Sequence, residues 1–300
     1  MWRHGTPLSQ SLPDSRCLIQ LQRKLLLHSL FAVNARNVGR QWEQFLLNLG
    51  CWQGSFDTLD RDQQLQRRQP SQLTLSRAGA AIDLELLFWP DQVASDQLSI
   101  NEQPINQQPP AQQPFQGEPV KRIVQSFRQV DPELGFFCTG SFSRGSLQIG
   151  SWSRPYAEFG FLCGDRRHRL VLLWDGAGRF DHSVLIREWR AGCGEPEAPA
   201  LTPEALVGAW SGEETVLERH ASAESALPSS CQIAWSMQSL QQIHWLPDGG
   251  GFRVPERVSP QQPFAIEAWW MPAHDQVECF KRSYDQSGGW LSTRHLLLRR

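Results

Sequence analysis

Two matching openings limit what this chain can fold into. Leu49-Gly50-Cys51-Trp52-Gln53-Gly54-Ser55-Phe56 and Val207-Gly208-Ala209-Trp210-Ser211-Gly212-Glu213-Glu214 follow one plan. Each comes after a short helical stretch, presents Gly-x-Trp, and runs through another glycine into a strand. One Gly-x-Trp is a weak pattern. Two of them about a domain apart, each ahead of a strand-rich segment, read as an internal repeat. Before the first, Trp42, Phe45, Leu46 and Leu49 share one stripe of a helix that Gly50 stops. Before the second, Thr202 can cap a helix and Pro203 fits its first position. The repeat predicts a pair of closed or nearly closed antiparallel β-barrels with short flanking helices. In each, the Trp plugs one end and a late-strand Arg packs over its ring. The predicted closing residues are Gly50, Trp52 and Arg187 in the first half, and Gly208, Trp210 and Arg294 in the second.

The rest of the pattern fits an all-β chain. Strand candidates in the first half are 81–89, 136–143, 146–152, 158–163, 167–174 and 183–189. Those in the second are 231–235, 241–246, 252–255, 264–270, 276–284 and 290–298. Asp175-Gly176, Asp248-Gly249-Gly250-Gly251 and Ser287-Gly288-Gly289 supply the turns. Residues 191–201, rich in Gly, Pro and Ala, read as a linker. The predicted organisation is therefore a first barrel over 41–190 and a second over 202–300. Residues 91–119 interrupt the first with eight Gln, five Pro and only acidic charges, and read as an inserted loop. Residues 1–40 carry six Arg or Lys and one acid, and read as a poorly ordered basic leader.

Composition removes several classes. Twenty-nine basic against thirty-one acidic residues give a formal charge of -2, which argues against a polyanion such as nucleic acid as main partner. Seven widely spaced Cys without a CxxC are neither a disulfide framework nor a structural zinc signature. The eight His form no HxH or HExxH, so no metal is predicted. No apolar run approaches the length of a spanning helix, so no integral membrane contact is expected. No P-loop, dinucleotide fingerprint or nucleophile elbow appears, and no cofactor is predicted. Arg166-Arg167-His168-Arg169 is the sharpest basic cluster, and its alternation reads as a solvated strand start.

Several segments carry a family likeness. They are Trp42-Glu43-Gln44-Phe45 through Phe56, Leu185-Ile186-Arg187-Glu188 and Trp245-Leu246-Pro247-Asp248-Gly249. Phe264 to Trp270, Arg282-Ser283-Tyr284 and Gly289 to Thr293 complete the set. Over about residues 41–300 the chain resembles DUF3598, a family of unknown function found in cyanobacteria and plant plastids. The resemblance implies two calycin (lipocalin-like) barrels. Free thiols suit a reducing compartment, so the expected location is the cytoplasm, or the plastid in a plant or alga. It supplies no reaction. The lyases that attach bilins to phycobiliproteins are also calycins, which is an analogy of fold.

The densest candidate chemistry lies at Val277 to Tyr284. Period two puts Glu278, Phe280, Arg282 and Tyr284 on one face. A carboxylate, a guanidinium and a phenol facing inward could grip the acidic group of an apolar ligand, with Arg282 as the fork. They could equally brace the barrel as a structural network. Glu267 and Trp269 share a face of the preceding strand, and Trp270 takes the other. Two strand carboxylates, Glu267 and Glu278, would serve acid–base chemistry only across a cleft. The leading expectation is non-catalytic binding of a small hydrophobic acid at these seven residues. Tetrapyrrole, carotenoid and fatty acid follow from the family neighbourhood. The alternatives are an assembly or structural module that binds a protein, and a pigment lyase or isomerase.

Overall fold

The computed structural model describes residues 39–91, 115, 117–150 and 153–300. The predicted leader, but for its last two residues, and most of the Gln/Pro insertion lie outside them. Helix α1 (Arg40–Leu46) leads into β1 (Gly50–Leu59), β2 (Leu65–Ala78), β3 (Ala81–Phe88) and β4 (Lys121–Phe127). Then come β5 (Leu134–Phe136), β6 (Phe142–Gly145), β7 (Tyr156–Cys163), β8 (Arg166–Trp174) and β9 (Phe180–Arg190). Helix α2 (Pro203–Leu206) precedes β10 (Gly208–Glu218), and β11 (Ser229–Trp235) follows. The chain ends in β12 (His244–Trp245), β13 (Gly250–Arg253), β14 (Phe264–Ala273), β15 (Gln276–Tyr284) and β16 (Trp290–Arg299).

The nine-stranded sheet has the order β4-β3-β2-β1-β9-β8-β7-β6-β5, and the seven-stranded sheet β11-β10-β16-β15-β14-β13-β12. Both are antiparallel meanders in which the last strand returns to pair with the first. The first is a curled sheet, partly closed, and the second is open. Among the described residues β4 does not pair with β5, nor β11 with β12, so neither sheet closes its ladder, and the first comes nearer than the second to the closed or nearly closed barrel expected. The strands that end the meanders are short: β5 has three residues and β12 two.

The repeat is visible atom by atom. Trp52 donates its indole N–H to Asn48 O at 2.9 Å, and Trp210 donates to Leu206 O at 2.8 Å. Arg190 lies 4.4 Å over the Trp52 ring and donates to Leu49 O. Arg300 lies 4.2 Å over the Trp210 ring and donates to Val207 O. The late-strand arginines that stack are thus Arg190 and Arg300, rather than Arg187 and Arg294, and Arg167 of β8 also lies 4.7 Å over the Trp52 ring. Register is the reason: Trp52 faces Arg190 while Arg187 faces Ser55, and Arg294 faces Val216. Gly50 and Gly208 open these strands at φ of 136° and 122°, where a side chain would be strained.

Three apolar cores result. One lies within the first half (Trp42, Phe45, Trp52, Leu73, Ile82) and one within the second (Leu206, Trp210, Trp269, Val277, Leu298). The third takes side chains from both sheets, among them Phe159, Phe161 and Leu172 with Phe252, Trp270 and Phe280. The predicted strand at 136–143 is broken after Phe136 by a turn with Gly140 at φ 84°. Among the described residues the alternation after Ser146 yields no strand, and its backbone bonds go to the other half: Ile149 N–H to Gly288 O, and Trp290 N–H to Leu147 O.

A methyl group at Gly54 would stand 1.9 Å from Arg187 O, and one at Gly212 2.0 Å from Leu297 O. Gly54→Ala and Gly212→Ala should each force the first and last strands of their sheet apart. The expected cost is about 2–3 kcal/mol in urea unfolding. Gly176→Ala, with open space around it, should leave the midpoint unchanged.

Candidate functional site

Alternation does put Glu278, Phe280, Arg282 and Tyr284 on one face of β15, and that face meets the first sheet. Phe280 packs 5.2 Å from Phe137, 5.5 Å from Phe159 and 5.1 Å from Phe161, centroid to centroid. Glu278 accepts the Ser141 hydroxyl at 2.7 Å and lies 3.1 Å from His295 Nε2. Arg282 donates from Nε to the Tyr284 hydroxyl at 2.8 Å and from Nη2 to Gly145 O at 2.9 Å and Ser146 O at 3.3 Å. Its Nη1 reaches the Thr293 hydroxyl at 3.3 Å, and Tyr284 donates to Ser146 O at 3.0 Å. The polar row therefore joins the two sheets.

The other candidates separate by face. Trp270 is fully buried in the shared core and donates to Asp248 O at 3.0 Å. Trp269 belongs to the inner core of the second sheet. Glu267 stands beyond that core, paired with Arg253 and 3.3 Å from Lys281. Arg294 is half exposed and pairs with Glu214. Arg187 donates to Asp57 at 2.6 Å and to Glu197 at 2.7 Å.

The basic cluster at Arg166 is not solvated. Arg166, Arg167 and His168 are all buried. Arg166 and His168 point to the shared core and converge on Asp248, which also accepts Ala198 N–H at 2.8 Å. Burial raises the Asp248 carboxyl, but His168 and Arg166 hold it below its ordinary value. Arg167 and Arg169 take the opposite face, within the curl of the first sheet. There Arg169 donates to Glu158 at 2.6 Å and Arg167 to Glu188 at 2.7 Å. Alternate residues of β8 thus feed two separate ion-pair sets, which a run of basic letters does not reveal.

A cavity of about 170 Å³ opens along the seam, walled by β5 and β6 on one side and β10, β15 and β16 on the other. Arg282, Ser143, Thr293 and Trp290 line it. Among the described residues no group of three or more His, Cys, Asp or Glu is placed to hold a metal. Six cysteines, Cys51, Cys138, Cys163, Cys193, Cys231 and Cys279, are free thiols. No helix among the described residues is long and apolar enough to cross a membrane.

The geometry defines a protein of two antiparallel sheets fused face to face. The profile of the N-terminal domain of DUF3598, a domain of unknown function, matches residues 38–193, more than half of the chain. The chain belongs to the DUF3598 family. Residues 230–300 also match the C-terminal domain of biogenesis factor required for ATP synthase 1. Among solved structures, a DUF3598 protein of unknown function from Nostoc punctiforme is 27% identical, with 89% of this chain and 100% of that chain covered and a TM-score of 0.66. The S-type phycobiliprotein lyase of Guillardia theta is 12% identical over 50% of this chain and 92% of its own, with a TM-score of 0.31. A search of curated proteins finds no match.

Two outcomes test the seam. Phe280→Ala removes the ring that three phenylalanines of the first half surround, and should cost about 3–5 kcal/mol in urea unfolding. The second concerns pH. Burial pushes His168 below its ordinary value of 6.5, against the opposing pull of Asp248. The unfolded chain then binds a proton near pH 6.5 that the folded chain resists. Stability is full above that pH and falls as the pH drops toward the depressed folded value. His168→Gln should flatten this decline in unfolding curves taken from neutral to mildly acid pH.

Proposed function

We propose that this protein is an assembly factor that binds a segment of a client protein along the free edge of β11. The supporting observation is a comparison of the four edges. Edge strand β4 carries Lys121 and Arg122, while β5 and β12 are very short. Charge and brevity are the usual protections of an exposed edge. Strand β11, Ser229-Ser230-Cys231-Gln232-Ile233-Ala234-Trp235, has seven residues, no charge and no proline. Among the described residues it pairs with β10 alone. Leu227, 67% exposed, and Met237, 54% exposed, stand at its two ends. An unprotected edge flanked by apolar side chains suits strand addition, in which backbone bonds give affinity and flanking contacts give selectivity.

The match of residues 230–300, which include most of β11, to a domain of an ATP synthase biogenesis factor supports the assembly reading. The client we propose is accordingly an ATP synthase subunit before assembly. Carriage of a tetrapyrrole or carotenoid receives less support. The polar row nominated for it is engaged in joining the sheets, and the seam cavity is smaller than the roughly 300–1,000 Å³ usual for such ligands. A lyase reading has no geometric support beyond the distant fold analogy.

The test compares the wild type with Leu227→Asp/Met237→Asp, both surface positions that should fold normally. Each is captured from its own cells after brief cross-linking and probed for ATP synthase subunits. The wild type should retain a subunit that the double variant loses. Equal capture by both, or capture by neither, would overturn the proposal.

A further inference from the structure

Arg282 is 2% exposed, and among the described residues no carboxylate lies within 4 Å of it. That sets it apart. Arg144, Arg166, Arg167 and Arg187 are buried too, and each has an acid within ion-pair distance. An isolated buried cation is costly unless something neutralises it. The partners of Arg282 are a phenol, a hydroxyl and two carbonyls, with the Trp290 ring 5.1 Å away. A guanidinium has five N–H donors. Four are directed at these partners, which leaves one on Nη1.

The cavity beside Arg282 holds a second unsatisfied group. Ser143 is 2% exposed, lines the cavity, and its Oγ has no hydrogen-bond partner. The Thr293 hydroxyl, also on the wall, already accepts from Trp290 Nε1 and Arg282 Nη1, so its own proton remains to be donated. A residue carrying a cation without a counter-ion and two carrying hydroxyls with donors to spare thus line one space of about 170 Å³. Leu134, Leu147, Leu217 and Trp290 give it apolar walls.

We infer that the seam cavity binds a small monocarboxylate, with Arg282, Ser143 and Thr293 holding the carboxylate and the apolar wall holding a short aliphatic or aromatic tail. Size sets the upper limit: a cavity of about 150 Å³ takes up benzene. Charge sets the valence. Glu133 and Glu218 also line the cavity, Glu133 held by the Tyr156 hydroxyl at 2.6 Å, and their charge disfavours a dianion such as phosphate. Arg219, on the same wall, lies 3.5 Å from Asp285. The inference is independent of the β11 edge. It assigns the cavity a ligand far smaller than a pigment.

The experiment is calorimetric titration of the full chain with benzoate, butyrate, benzamide and inorganic phosphate at fixed ionic strength. Benzoate and butyrate should bind once per chain. Benzamide and phosphate should bind at least about tenfold more weakly. Arg282→Lys should weaken benzoate similarly, but Arg282 also joins the sheets and its loss can unfold the chain. Ser143→Ala and Ala221→Trp keep the test decisive. The first removes a hydroxyl, and the second places a ring at an exposed lining position. Both should fold with an unchanged melting point and lose benzoate. No binding by the wild type, equal binding of benzamide, or binding that Ala221→Trp leaves intact would each overturn the inference.

Discussion

The shared apolar face between the sheets is the constraint on which everything else depends. Neither sheet closes, so each has a second face to cover. The nine-stranded sheet offers Phe137, Phe159, Phe161 and Leu172, and the seven-stranded sheet offers Phe252, Trp270 and Phe280. Face-to-face packing removes both surfaces from water at once. It also fixes the fate of the polar groups in that layer. Glu278, Arg282 and Asp248 are inside because the strands that carry them must be inside. Each is then held by backbone or side chains reaching across from the other half, although Arg282 keeps a spare N–H and Glu278 and Asp248 each keep an oxygen without a partner.

Much of this was legible in the sequence. Both Gly-x-Trp openings start strands of the same plan, and period two correctly grouped the β15 row. What period two leaves open is which side a face belongs to. A strand with apolar residues on both faces is compatible with a barrel interior and with a sheet-on-sheet joint. The same ambiguity affected Arg166 to Arg169. Buried ion pairs and surface charges look alike in a sequence, because the partners Glu188 and Asp248 lie far along the chain. Strand β2 went unread because Leu65 to Pro70 is mostly polar and includes a proline. Its pairing with β1 and β3 overrides a poor local propensity.

The proposed sites lie at different levels of the architecture. The β11 edge is a property of backbone left unpaired where a meander stops. The seam cavity is a property of side chains, formed where two sheets meet imperfectly around Arg282. The Trp and Arg stacks belong to neither. They pin the first strand of each sheet to its last, and so hold the frame within which an edge can stay open without unravelling.

That pinning has a consequence for how the chain is made. The first sheet is complete once Arg190 leaves the ribosome, since β9 then pairs with β1. Its aromatic outer face must wait for Phe280, roughly ninety residues later. At about 5–20 residues per second, that interval is on the order of five to eighteen seconds. Throughout it the nascent half presents Phe137, Phe159 and Phe161 with no second sheet to cover them. For that time the first half has its hydrogen-bonded ladder but lacks the apolar cover of its aromatic face.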